Sequence, residues 1–171
     1  MKVEIWSDIM CPFCYIWKRN FEAALKNFDA KNEIEIEWKS FQLDPTISKS
    51  FDKKVSTYEY LSEKKGMTVE KAKELHLNVT EMAKKVGLIY NFDKSVVANS
   101  FDAHKLIQLA KTKELGGAAE ESLFKAYFTD GKDISDYSTL VELGNEIGLN
   151  EEEVISTLAS EQFDAKVKFD I

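Results

Sequence analysis

Arginine is almost missing from this sequence. Of its 23 basic residues only Arg19 is an arginine, and the net charge is −7 at pH 7. Lysine lacks the bidentate fork that phosphate and guanine recognition favours, so the charge pattern argues against a nucleic-acid partner. An acidic, lysine-rich surface reads as solubility. Histidine, proline and cysteine are equally scarce, two of each. His76 and His104 sit in separate helical stretches without the paired spacing of a zinc site. No apolar run approaches the length of a membrane span. Glu4 and Asp8 interrupt what would have to be the apolar region of a signal peptide. The expected location is the cytoplasm, with no membrane partner, where structural disulfides are rare and a dithiol is more often catalytic or metal-binding.

What is present is a conjunction. Both cysteines fall in Ser7-Asp8-Ile9-Met10-Cys11-Pro12-Phe13-Cys14-Tyr15, directly after the short apolar run Val3–Trp6. Proline has a fixed φ and no N–H, so Pro12 suits a first helical position, which makes Cys11 the N-cap and sets Cys14 one turn in. The Cys11 sulfur then lies beside the free N–H groups of Phe13 and Cys14, at the positive end of the helix dipole. Both effects favour a thiolate, so Cys11 is the expected nucleophile with a depressed pKa, and Cys14 the resolving thiol. Three other readings stand beside this one. A staple closing four residues stabilises by only roughly 2 kcal/mol, half of a zinc site needs two further ligands, and inert thiols need neither proline nor a helix start.

At 171 residues, 44% hydrophobic and 31% charged, the chain is one domain or one domain with a large insertion. Val3–Trp6 reads as a strand and Cys11 to about Phe28 as a helix, with Phe21, Ala24, Leu25 and Phe28 on one stripe. Between Asn32 and Leu43, Ile34, Ile36 and Trp38 alternate with charged residues, a strand with one wet face. Asp44-Pro45 ends this β-α-β unit. Helical periodicity then predominates. One helix covers about 55–65 and stops at Gly66. A second follows Thr68 with Val69, Ala72, Val79, Met82, Ala83 and Val86 as its apolar stripe. A third, capped by Asn99, ends at Gly116-Gly117. Helices over about 118–128 and 136–147 come next, then one opened by Asn150 with Glu153 as a capping-box pair and Leu149 stapled onto Val154, then a last amphipathic piece with Phe163 and Val167. Two strands alone make too small a sheet to be stable.

Ile5–Arg19, Trp38–Pro45, Val96–His104 and Leu123–Phe128, in that order, resemble the DsbA-like thioredoxin-fold family in its FrnE-type branch. That branch is similar to 2-hydroxychromene-2-carboxylate isomerases and kappa-class glutathione transferases. The resemblance spans the whole chain and implies an α/β thioredoxin-like fold with an all-helical insertion. Residues 1–54 would be the N-terminal βαβ and 55–171 the insertion, without the C-terminal ββα part of the thioredoxin core. It implies a thiol–disulfide oxidoreductase whose Cys-Pro-Phe-Cys dithiol oxidises, reduces or isomerises protein disulfides. A glutathione-dependent isomerase or transferase and an inactive truncated remnant are the alternatives. Relatives of the isomerase type have serine at the position of Cys11, which favours the redox branch. Phe13 replaces the histidine of periplasmic oxidases, so a less extreme thiolate and a less oxidising couple are expected.

The family's cis-proline loop has no counterpart, since the only prolines are Pro12 and Pro45. The resemblance therefore implies a fragment, with the first strand left as an apolar edge for a second copy to cover in a homodimer. No cofactor beyond the dithiol is expected, with glutathione as the one candidate co-substrate and a protein or small-molecule thiol or disulfide as substrate; no metal is expected. Supporting roles fall to Pro12 and Phe13, to Trp17 as a flanking aromatic, to Asn99 as a helix cap, and to His104, either a structural residue or one in line with the active site. Lys18, four residues after Cys14, either helps the thiolate or is simply solvated.

Overall fold

The computed structural model describes residues 1–52 and 54–170. Lys53 and Ile171, at the expected domain boundary and at the end of the expected insertion, lie outside the described residues. β1 (Lys2–Ser7) and β2 (Glu35–Ser40) pair in parallel, from Lys2 opposite Glu35 to Ser7 opposite Ser40. A parallel pair needs a crossover, here α1 (Pro12–Lys26) with a 3₁₀ turn at Lys31–Glu33. That turn takes the first residues of the expected second strand, which is shorter than its alternation suggests.

Seven more helices follow among the described residues: α2 (Thr57–Lys65), α3 (Val69–Lys85), α4 (Phe101–Lys111), α5 (Gly116–Lys125), α6 (Tyr137–Glu146), α7 (Glu151–Ala159) and α8 (Asp164–Asp170). A π-helical turn over Ala126–Asp130 continues α5. Local chemistry explains most of these starts. Thr68, Asp136 and Asn150 each accept the N–H three residues on. Ser56 opens α2 with a full capping box, in which Glu59 N–H donates to Ser56 Oγ and Ser56 N–H donates to Glu59 Oε2 at 2.8 Å. Ser56→Ala is therefore expected to cost about 1 kcal/mol, readable as a lower urea midpoint with an unchanged slope.

Four expectations need correction. The cap of α4 is Ser100; Asn99 sits one residue earlier, where its Oδ1 accepts the Phe101 N–H at 2.9 Å. The Gly116-Gly117 pair opens α5 instead of closing α4. The turn between them is made by Glu114 in the left-handed region (φ 61°) and closed by Leu115 N–H on Ala110 O at 2.9 Å. At α7, Asn150 caps as expected, but Glu153 turns outward to Lys113 at 2.8 Å. The stripe on α1 is not core: Phe28 is 49% exposed and Ala24 is exposed. The later helices gather on the first turns of α1, burying Tyr15, Ile16 and Lys18, and leave its last turns open.

The core lies beneath that first turn. Ile9, Tyr15 and Ile16 join Leu106, Leu123, Phe124, Phe128, Leu140 and Leu158 in one continuous cluster. The Tyr15 ring stacks on Phe124 at 4.8 Å and 6°. The end of α8 closes the outer edge of β2, where the Asp170 carboxylate accepts from Ser40 N–H and Gln108 Nε2, both at 3.1 Å. The Trp6 indole donates to Asp170 O at 2.7 Å.

Candidate active site

Cys11 is the N-cap of α1, in extended backbone (φ −89°, ψ 109°), and Pro12 is its first residue, as the sequence requires. Two bonds hold this helix start in place. Cys11 N–H donates to Asp8 O at 2.9 Å, and the Tyr90 hydroxyl donates to Pro12 O at 2.7 Å. Both cysteines are free thiols, partly buried. They face different surroundings: Cys11 borders an open groove, while Cys14 packs against the hydrophobic core.

The first-turn N–H groups of Phe13 and Cys14 do favour a Cys11 thiolate. They are outweighed. The Cys11 thiol donates to the Cys14 sulfur, and that bond, with burial and the neighbouring charge, pushes the Cys11 pKa well up. Cys14 is drawn down to about 6, first by that donated bond and then, against burial, by the Asp8 N–H and the otherwise unpartnered Ser7 hydroxyl. The helix start and the partner sulfur thus act on the Cys11 thiol in opposite directions. The two thiols interact, so their ionisation belongs to the pair.

Asp8 ties this arrangement together, a role the sequence reading did not assign. It is 1% exposed. Its carboxylate accepts Met10 N–H at 3.1 Å and Leu43 N–H at 2.6 Å, fastening the exit of β2 to the helix start. Burial opposes its charge, but the neighbouring His104 imidazole and the two N–H groups keep its pKa below the usual carboxylate value. His104, 2% exposed, places Nε2 at 2.8 Å from Phe41 O and 3.7 Å from Asp8 Oδ1. It is therefore a buried contact beside Asp8 and the Phe41 carbonyl.

Lys18 is neither solvated nor aimed at a sulfur. Its ammonium, 5% exposed as a residue, bonds Glu22 at 2.5 Å and Glu121 at 3.0 Å. Glu121 also accepts from the Tyr15 hydroxyl at 2.7 Å and from Arg19 at 2.9 Å. Burial resists that charge, yet these donors hold its pKa at about 2. The next residue behaves oppositely. Glu120 is 2% exposed with Oε2 unpartnered, and burial pushes its pKa to about 8 despite attraction from Lys18 and Lys111.

The groove beside Cys11 has a volume of about 560 Å³. Pro12 and Phe13 form one wall with Cys11, Phe92 and Phe128 line its inner side, and Leu75, Val79 and Met82 of α3 stand in its lining as well. The expected apolar stripe of α3 is divided: Ala72 and Ala83 are buried and Val79 and Val86 pack against the core, whereas Met82 is 43% exposed and lines the groove. The other predicted residues lie apart. Trp17 stacks on Phe21 at 4.8 Å and meets Trp38 edge-on, away from the groove lining. Asn99 binds Ile47 O at 2.6 Å and Gln42 Nε2 at 3.2 Å in a separate shallow pocket.

Comparison with known proteins gives the family of this fold. The DSBA-like thioredoxin domain matches residues 2–171. The chain belongs to that family. This DSBA-like chain is 28% identical over 150 residues to the uncharacterized protein YwbO of Bacillus subtilis, a match covering 86% of the chain and 66% of YwbO. It thus spans just under two thirds of that curated relative. Among solved structures it is similar to the probable DsbA oxidoreductase SCO1869 from Streptomyces coelicolor, with TM-score 0.93 and 35% identity over 99% of this chain and 73% of that one. It shares its fold with the cytosolic disulfide reductase DsbM from Pseudomonas aeruginosa with GSH, with TM-score 0.66 and 16% identity over 99% and 77%. The family assignment makes this chain one of an oxidoreductase family on an α/β thioredoxin-like fold with helical insertion. No helix among the described residues is long and apolar enough to cross a membrane.

Proposed function

We propose that this chain carries the dithiol of a thiol–disulfide oxidoreductase in which Cys11 exchanges with substrate and Cys14 resolves. The observation that carries this reading is the division of labour between the sulfurs: Cys11 borders the groove, and Cys14 lies behind it against the core. An approaching disulfide reaches Cys11. As the Cys11 sulfur attacks, its proton passes to the Cys14 sulfur it already bonds. One substrate sulfur leaves as a thiolate and a mixed disulfide forms at Cys11. Cys14 then gives its proton to the departed thiolate and attacks the Cys11 sulfur, releasing the second substrate thiolate and leaving a Cys11–Cys14 disulfide. Two electrons have passed to the substrate. Run backwards, the same steps oxidise a substrate dithiol.

The dithiol is the only redox group this chemistry requires, with glutathione as a candidate co-substrate in the isomerase alternative. The proposed location is the cytoplasm. None of the comparisons supports a homodimer through the β1 edge. Cys11→Ser is expected to lower exchange on the order of 10³-fold or more, and Cys14→Ser to accumulate mixed disulfides detectable by mass spectrometry. Full exchange activity in Cys11→Ser would remove the assignment.

A further inference from the structure

The groove lining is unusual in its chemistry. It contains three of the chain's four methionines, Met10, Met67 and Met82. Methionine is flexible and polarizable and moulds to apolar shapes. The charges at its margin are few and largely committed. Asp44 accepts from the Tyr60 hydroxyl and the Lys64 ammonium, both at 2.5 Å. His76 has Nδ1 at 2.8 Å from Ala72 O, and burial holds its pKa below the ordinary histidine value, so it adds no cation at neutral pH. Among the described residues Lys65 alone brings a positive charge to the lining, and it is exposed.

We infer that the groove selects low-molecular-weight disulfides with apolar flanking groups over glutathione disulfide. This inference rests on the exchange chemistry proposed above and names its substrate class. Glutathione disulfide carries four carboxylates and two ammonium groups at neutral pH. Seating it here would strip water from those charges against sulfur, methyl and aromatic carbon, a cost that Lys65 alone does not offset. An extended polypeptide fits poorly for a related reason. Each residue brings an N–H and a C=O that need partners, and the lining gives few: the Thr57 hydroxyl, for one, already donates to Phe92 O at 3.3 Å. The volume of about 560 Å³ lies in the range of small-molecule sites.

The step is an ordinary exchange. The reduced dithiol gives two electrons to an apolar disulfide R–S–S–R, releasing two thiols RSH and leaving Cys11 and Cys14 bonded. An external dithiol such as dithiothreitol regenerates the pair.

The test compares kcat/KM for diphenyl disulfide, glutathione disulfide and a disulfide-linked apolar peptide. The expected order puts diphenyl disulfide at least about tenfold above both others, and Met82→Glu cuts its ratio to glutathione disulfide by about tenfold or more. Calorimetric titration of Cys11→Ser with diphenyl sulfide, which cannot exchange, reads the groove separately and is expected to show saturable binding weakened by Met82→Glu. Equal rates for diphenyl and glutathione disulfides, preference for the peptide, or an unaltered ratio in Met82→Glu would overturn the selectivity. Saturable diphenyl sulfide binding without exchange toward any disulfide would overturn the chemistry above while leaving an apolar groove.

Discussion

Glu120→Gln is expected to stabilise the fold above pH 8 and to flatten its pH dependence below. Glu120 is buried with one carboxylate oxygen unpartnered, and burial raises its pKa from 4.5 to about 8. In the unfolded chain it ionises near 4.5, so between 4.5 and about 8 the folded state binds the extra proton. Where the native state holds more protons, stability falls as pH rises. The contribution is therefore full below pH 4.5 and lost by about pH 8, a span worth up to about 5 kcal/mol. Glutamine keeps the shape without the charge. Urea denaturation at several pH values should show both proteins losing similar stability below pH 4 as Asp8 and Glu121, held below their ordinary range in the fold, take up protons. Above that, the parent should fall progressively relative to the variant from about pH 4.5 to about pH 8, the contribution of every other group cancelling in the difference. Parallel profiles throughout would show that Glu120 is charged in the fold and that another group supports it.

Phe124→Ala should cost about 3–5 kcal/mol, roughly 10 °C in Tm for a chain of this size. Phe124 is fully buried and stacks on Tyr15, whose hydroxyl donates to Glu121. Removing the ring therefore opens a cavity beneath the first turn of α1. Phe124→Leu, which refills most of that space, should cost less than half as much. The cavity also loosens the platform under Cys14, so exchange should weaken in the alanine variant even where it stays folded. A loss below about 1 kcal/mol would show that the core collapses around the site and that the stack is not its support.

The contrast between these residues and the ones the sequence announces is instructive. Cys11 as N-cap, Pro12 behind it, the alternation at Ile34–Trp38 and the caps at Thr68 and Asn150 are all local, and each was legible without coordinates. Periodicity says that a helix face is apolar but not what covers it. The stripe of α3 therefore read as core, and at Val79 and Met82 it borders the groove. Asp8 and Glu120 gave no signal. A buried carboxylate looks like a surface one until tertiary packing removes its water. His104 was visible as a candidate, but its connection runs through Asp8 and the Phe41 carbonyl, contacts 63 and more residues away in sequence. The groups acting on Cys14, namely Cys11, Asp8 and Ser7, are as local as the helix start, but their distances and burial come from side-chain placement, which spacing does not give.

The coupled ionisation of the dithiol is open to direct observation. Thiolate absorbance near 240 nm, followed against pH in the reduced protein, should rise by one thiolate with a midpoint near 6. The second should stay protonated beyond the range of an ordinary thiol, and Cys11→Ala should return the remaining midpoint toward about 8.5. Two thiolates appearing together near that ordinary value, unaffected by loss of the partner, would contradict it.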